Sequence, residues 1–90
     1  MSETPEIRCK RLLYRSWHRG TREADLLLGP FAEQHLADFT PAQLDCYEAL
    51  LQENDATLYD WIVGRVPPPA AQDSDVLRLL MRTKVRPRPA

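Results

Sequence analysis

The side chains that could form a nucleophile and a general base in this chain are few, and their spacing does not bring them together. Ser16 and His18 are separated by one residue, and residues two apart on a helix point away from each other. His35 lies among apolar residues, which is more typical of a structural histidine than of a general base. The glycines are isolated from one another, so the sequence has no glycine-rich phosphate loop. These residues predict no catalytic group and argue against an enzyme.

Metal binding finds no support in the sulfur and imidazole residues. Cys9 and Cys46 are far apart and form no Cys-x-x-Cys pair, and the only histidines are His18 and His35. This spacing lacks the ligand pattern of a zinc site. We therefore predict no metal ligand, and two reduced, partly buried thiols.

The most distinctive polar segment runs from Arg19 to Glu23 and reads Arg-Gly-Thr-Arg-Glu. Gly20 permits a sharp turn and the close approach of another backbone, and an arginine offers a planar fork of donors for carboxylate or phosphate. Glu23 lies near the start of the next predicted helix, where a negative charge is favoured. Two interpretations remain open. The segment is either a helix junction with an exposed Arg19–Glu23 ion pair, contributing about 0.2–1 kcal/mol, or a surface for a partner.

Charge is distributed unevenly along the chain, although the net charge is only -1. The first quarter is basic, through Arg8, Lys10, Arg11, Arg15, Arg19 and Arg22. From Ala24 to Asp75 the chain carries ten acidic residues and a single basic one, Arg65. This split predicts a molecule with one basic and one acidic surface, suited to an oriented encounter with a charged partner. The small net charge argues against a nucleic-acid binder.

The length of 90 residues corresponds to one domain of modest stability. No apolar run reaches the length of a signal peptide or the roughly 20 residues of a membrane span. From this we expect a soluble, cytoplasmic and monomeric protein without membrane insertion.

Helical periodicity extends through the chain, and no segment alternates like a strand. We predict a first helix from Pro5 that stops before Gly20. A second helix begins near Thr21, and the Gly29-Pro30 dipeptide should break or kink it before it continues through Leu36.

The second half of the chain contains good helix starts. Thr40-Pro41 with Gln43 predicts a capping box, and Asn54 predicts another cap before a helix that stops at Gly64. Tyr47 and Trp61 are predicted in the core and Tyr59 at the surface. We assign residues 1–66 to a helical bundle that includes the Arg-Gly motif. Residues 67–90 form a Pro-rich linker, a short helix over 74–82 and a basic tail.

Two blocks of sequence resemble the succinate dehydrogenase assembly factor (flavinator) family. The first runs from Arg11 to Ala32 and contains the Arg-Gly-x-x-Glu motif. The second consists of Tyr47, Leu50, Leu51, Asp55, Leu58, Tyr59 and Trp61. The similarity extends from about Arg8 to Pro68. A motif of five residues is weak by itself, but two blocks in order across most of the chain are specific.

The resemblance implies an all-α fold, a compact bundle of about five short helices. It implies a factor that binds the flavoprotein subunit of succinate dehydrogenase, and in some members of fumarate reductase. Such a factor promotes covalent attachment of FAD to a histidine of that subunit, so FAD is the client's cofactor and the chain binds none stably itself. The partner-binding residues carried over are Arg19, Gly20 and Glu23, with Asp25 matching an acidic residue just beyond, Arg22 inside the motif, and Arg8 and Arg11 as looser matches.

Trp17-His18 departs from the family pattern, because many members have a basic residue before the motif arginine. The alternative function is a generic helical interaction module that uses its basic first helix to meet an acidic protein.

Overall fold

The computed structural model describes residues 3–83, which fold into five α-helices. These are α1 (Pro5–Trp17), α2 (Arg22–His35), α3 (Pro41–Leu51), α4 (Asp55–Ile62) and α5 (Asp75–Thr83). Two 3₁₀ turns, Leu36–Asp38 and Ala70–Gln72, join α2 to α3 and α4 to α5. No strand occurs in the described residues, so the predicted all-α fold is confirmed. The predicted basic tail, from Lys84 onward, lies outside them.

Side-chain caps define where these helices begin. Thr4, Thr21 and Asn54 each accept a hydrogen bond from the backbone N–H three residues on. The capping box predicted at Thr40 is formed, because the Thr40 hydroxyl accepts from the Gln43 N–H and the Gln43 side chain accepts from the Thr40 N–H. After α4 the chain turns at Gly64, whose φ of +82° favours glycine.

The predicted break at Gly29-Pro30 does not occur, because α2 continues through both residues to His35. Pro30 is exposed, so the carbonyl that loses its intrahelical donor can bond to water instead. Gly29 has a packing role. A Cβ at this position would overlap the indole ring of Trp17, with Cε3 only 2.5 Å away. Glycine therefore lets α1 and α2 approach closely at this point.

One hydrophobic core joins all five helices. It includes Leu12 of α1, Leu28 and Phe31 of α2, Tyr47 and Leu50 of α3, Leu58 and Trp61 of α4, and Val76, Leu77 and Leu80 of α5. Tyr47 and Trp61 are buried, as predicted, whereas Tyr59 is half-buried rather than exposed. The division after residue 66 places α5 outside the bundle, but its apolar side chains pack in this same core against α3 and α4. In the described range, no helix is both long and apolar enough to cross a membrane.

Candidate functional site

The Arg19 side chain lies inside the molecule and connects two junctions of the chain. Its side chain is only 9% exposed, and its Nε donates to Oδ1 of Asp55 at 2.8 Å. Its Nη1 and Nη2 groups donate to the backbone carbonyls of Leu51 and Glu53. Arg19 therefore joins the α1–α2 junction to the end of α3 and the start of α4. Each of the three guanidinium nitrogens donates one hydrogen bond within this chain.

Asp25 is also used within the chain. Its Oδ1 accepts from the backbone N–H of Arg19 at 2.7 Å, across the turn that contains Gly20. Gly20 has a φ of +111°, a conformation that side-chain-bearing residues rarely adopt. The turn is further held by Thr21, whose hydroxyl donates to Oδ2 of Asp55 at 3.3 Å. The sequence therefore predicted the glycine turn correctly, and the structure adds the acids that hold it.

The motif residues that face solvent are Gly20, Thr21, Arg22 and Glu23. The Arg19–Glu23 ion pair considered from the sequence is not formed, because Arg19 pairs with Asp55 instead. Within residues 3–83, Arg22 and Glu23 make no ion pair. A groove of about 290 Å³ lies beside them, between the starts of α2 and α4. Its walls are Thr21, Glu23, Asp55, Ala56 and Tyr59.

Arg8 and Arg11, the looser candidates, belong to an ion-pair network between α1 and α3. Arg8 binds Asp45 at 2.6 Å and Glu48 at 2.9 Å, and Arg11 binds Glu48 at 2.9 Å and Glu3 at 2.7 Å. Hydrogen bonds from Arg11 and then Arg8 hold the pKa of Glu48 below its ordinary value. Two residues of the predicted basic surface, Arg8 and Arg11, are therefore paired with acids of this chain rather than left unpaired.

A buried polar pair near the motif was not anticipated from the sequence. Ser16 is completely buried, and its hydroxyl donates to the Leu12 carbonyl at 2.8 Å and is hydrogen-bonded to the Tyr47 hydroxyl at 2.5 Å. Burial raises the pKa of Tyr47 to about 12. A polar residue in the middle of an apolar helix face was the signal for this pair, since Ser16 follows Leu12 by one helical turn.

The two residues that depart from the family pattern take separate positions. Trp17 packs on Gly29 and donates its indole N–H to Oε2 of Glu33 at 2.9 Å. His18 stacks on Tyr14 with ring centroids 4.0 Å apart, and its Nδ1 lies 2.8 Å from the Tyr14 carbonyl. The contacts of Trp17 were not predicted from the sequence, because they depend on how closely α1 and α2 approach.

Comparison with known proteins decides the family. Residues 10–84 match the family model described as flavinator of succinate dehydrogenase. The chain belongs to this flavinator family. The matched range contains the whole Arg19–Glu23 segment and all the residues of the second block.

Two curated relatives of this chain are named succinate dehydrogenase assembly factor 2, mitochondrial. The protein from Scheffersomyces stipitis is 43% identical over 82 residues, which cover 87% of this chain and 55% of the relative. The protein from Dictyostelium discoideum is 40% identical over 80 residues, covering 89% of this chain and 56% of the relative. The chain thus spans a little over half the length of these relatives. Their names describe assembly rather than a catalysed reaction, which agrees with the expectation that the chain is not an enzyme.

The expected cytoplasmic location is overturned by these relatives, whose names place them in the mitochondrion. The expectation rested on the lack of an apolar targeting run. That criterion detects secretory signals, whereas mitochondrial transit peptides are amphipathic, basic and poor in acids. The apolar content of the chain was therefore the wrong observable for this question.

Proposed function

We propose that this chain binds the flavoprotein subunit of succinate dehydrogenase and promotes covalent attachment of FAD to it. The observation that carries the proposal is the match of residues 10–84 to the flavinator family. The relatives are named as assembly factors of the same enzyme, which gives the proposal its client. The fumarate reductase flavoprotein is a second client that the same assays can examine.

The surface that we assign to the client is the exposed part of the motif. Gly20 and Glu23 are exposed at the α1–α2 junction, and Arg22 is exposed beside them. Arg19 and Asp25 act behind this surface, since their polar groups are bonded to the chain itself. Arg8 and Arg11 support the orientation of α1 on α3. We therefore propose that the exposed residues of the motif contact the client, and that Arg19 and Asp25 behind them maintain the conformation of the turn.

The contribution of such a surface to flavinylation is positional. Bond formation between a flavin and a histidine is chemistry of the flavin and its acceptor, and holding the reacting groups in place can supply much of the rate. FAD is the cofactor of the client in this proposal, and the chain binds none stably itself. Its role is to keep the client subunit in a reactive arrangement.

Replacement of Gly20 tests this surface. Any residue other than glycine at position 20 would be strained by the φ of +111°. A Cβ alone would not clash, because its nearest neighbour would be Oδ2 of Asp55 at 3.8 Å. Gly20→Ala therefore measures the backbone strain, and Gly20→Arg adds bulk above the turn. We expect both variants to fold with similarly reduced stability, and only Gly20→Arg to lose most covalent flavinylation.

The measurement is in-gel flavin fluorescence of the denatured flavoprotein subunit in cells that lack the chromosomal gene and carry each variant. Circular dichroism and thermal unfolding of the purified variants establish that both are folded. Normal covalent flavin with a folded Gly20→Arg protein would contradict the assigned surface. Normal covalent flavin in cells without the gene would contradict the proposed function itself.

A further inference from the structure

The outward side of α1 carries an exposed face that the motif does not account for. Between residues 7 and 18 the exposed residues are Ile7, Lys10, Tyr14 and His18. Their spacing of three, four and four residues aligns them along one side of the helix. The intervening residues are buried or half-buried against α2 and α3. We call these four residues the outward face.

The outward face carries the two most exposed of the large hydrophobic side chains in residues 3–83. The Tyr14 side chain is 64% exposed and Ile7 is 55% exposed, and they are among four large hydrophobic residues so exposed in residues 3–83. A tyrosine that is exposed but rigid is the type of residue that carries binding energy at protein interfaces. Single apolar residues scattered over a surface need no explanation, but Ile7 and Tyr14 lie on one face of α1 together with the His18 ring.

Tyr14 is held in place before any partner arrives. His18 stacks on its ring with an interplanar angle of 19°. Because the Tyr14 carbonyl can only accept a hydrogen bond, the contact of 2.8 Å requires a proton on His18 Nδ1. The two side chains thus form an ordered aromatic pair that loses little conformational freedom on binding. The pair ends two residues before Gly20 and so leads directly into the motif.

The charge of the outward face indicates what kind of surface it meets. Its two basic residues are Lys10 and His18, and the exposed Arg22 follows at the motif. Glu6 flanks the N-terminal end but makes no ion pair with Lys10 within residues 3–83. A second copy of the chain is a poor occupant, because an isologous contact would place like charges against each other.

We infer that the outward face of α1 docks on the client flavoprotein, with Tyr14 entering an apolar pocket whose rim carries carboxylates. The inference rests on the proposed function for the identity of the client. It extends the contact surface from the α1–α2 junction along the length of α1. Tyr14 is the anchor of this surface, His18 orients the tyrosine ring, and Lys10 pairs with the acidic rim.

The test is the affinity of the full chain for the purified flavoprotein subunit of succinate dehydrogenase from the same genome, measured by isothermal titration calorimetry. We expect Tyr14→Ala to weaken binding at least tenfold and Tyr14→Phe to retain it within about threefold, since the ring is kept. Val66→Ala is the matched control, because Val66 is also exposed, at 43%, but lies beyond α4. It should bind within twofold of the parent chain. Lys10→Gln should reduce the dependence of the affinity on salt.

The outcomes separate the inference from the proposed function. If the parent chain binds the flavoprotein and folded Tyr14→Ala binds equally well, the outward face is not part of the interface. If the parent chain does not bind the flavoprotein at all, the proposed function fails and this inference fails with it. If light scattering shows a dimer that Tyr14→Ala dissociates, the face belongs to a second copy and the inference is wrong.

Discussion

At the scale of single residues, the motif divides into side chains that form the surface and side chains that support it. Arg19 belongs to the second group, because its donors are bonded to Asp55 and to two backbone carbonyls. A motif arginine is expected to reach a partner's carboxylate or phosphate. Here the side chain is only 9% exposed, so we assign Arg19 to positioning the turn.

Removal of this arginine should destabilise the fold. Arg19→Ala leaves the Asp55 carboxylate, which is 18% exposed, without its partner. Breaking a buried pair in this way costs about 3–5 kcal/mol, and we expect the lower end because Asp55 keeps some contact with water. Arg19→Lys should fall between, since an ammonium cannot reproduce the fork. Urea unfolding measures both changes.

The exposed arginine of the same motif provides the control. Arg22→Ala should change the free energy of unfolding by less than about 0.5 kcal/mol, as expected for a surface position. If Arg19→Ala proved as stable as Arg22→Ala, the supporting role assigned to Arg19 would be wrong.

At the scale of elements, the contact between α1 and α2 depends on a residue that carries no side chain. Trp17 packs its ring on the backbone of α2 at Gly29 and bonds to Glu33 one turn later. Replacement of glycine by alanine inside a helix ordinarily stabilises a protein by about 0.4–1 kcal/mol. Here the added methyl group would overlap a packed indole ring.

Gly29→Ala should therefore destabilise the protein by about 1–3 kcal/mol, because the cost of overpacking exceeds the gain in helix propensity. In the Trp17→Ala background the ring is absent, so the same substitution should become neutral or stabilising. A double-mutant cycle of thermal unfolding measures this coupling. Equal effects of Gly29→Ala in both backgrounds would show that the ring does not limit the approach of the two helices.

This contact also illustrates how far the sequence predicts the fold. The helix starts at Thr40 and Asn54 and the turn at Gly64 were predictable, because each depends on residues within three positions along the chain. The path through Gly29-Pro30 was not predictable, since it depends on the packing of Gly29 against Trp17 and on the exposure of Pro30. Local caps are encoded locally, whereas tolerance of a glycine or proline is decided by packing.

The candidate site follows the same rule. The glycine turn at Gly20 was recognisable from residue type alone. The partner of Arg19 was not, because Glu23 and Asp55 are both acids and only the fold brings Asp55 within 2.8 Å. Arg19 lies in the first of the two sequence blocks that resemble the family and Asp55 lies in the second, so this ion pair joins the two blocks.

At the scale of the whole molecule, charge holds the first helix on the third. Arg8 and Arg11 of α1 meet Glu48 and Asp45 of α3, and Glu3 closes the network before α1 begins. Hydrogen bonds from Arg11 lower the pKa of both Glu48 and Glu3 from an ordinary value of 4.5. A carboxylate with a lowered pKa stabilises the folded state most when it is ionised.

Stability should consequently fall in acid. The unfolded chain binds protons first as the pH drops through about 4.5, so the contribution of Glu48 is complete above that value and is lost as the pH falls through the lower pKa of the folded state. Glu48→Gln should be less stable than the parent chain at pH 7 and should show a smaller loss between pH 5 and 3, about one kcal/mol or less for each unit of pH. Chemical unfolding at several pH values measures the slopes, and identical slopes in both proteins would contradict the assignment.

The bonds of Arg19 to Leu51, Glu53 and Asp55 determine when, during synthesis of the chain, the motif can acquire its conformation. The Arg-Gly-x-x-Glu motif is contiguous in sequence, but the atoms that shape it come from a part of the chain more than 30 residues later. A nascent chain that does not yet include α4 contains the motif sequence but lacks the partners that fix the conformation of the motif. A chain truncated before α4 would therefore contain the motif sequence without these bonds, and the contact with the client that we propose would require α4 to have folded.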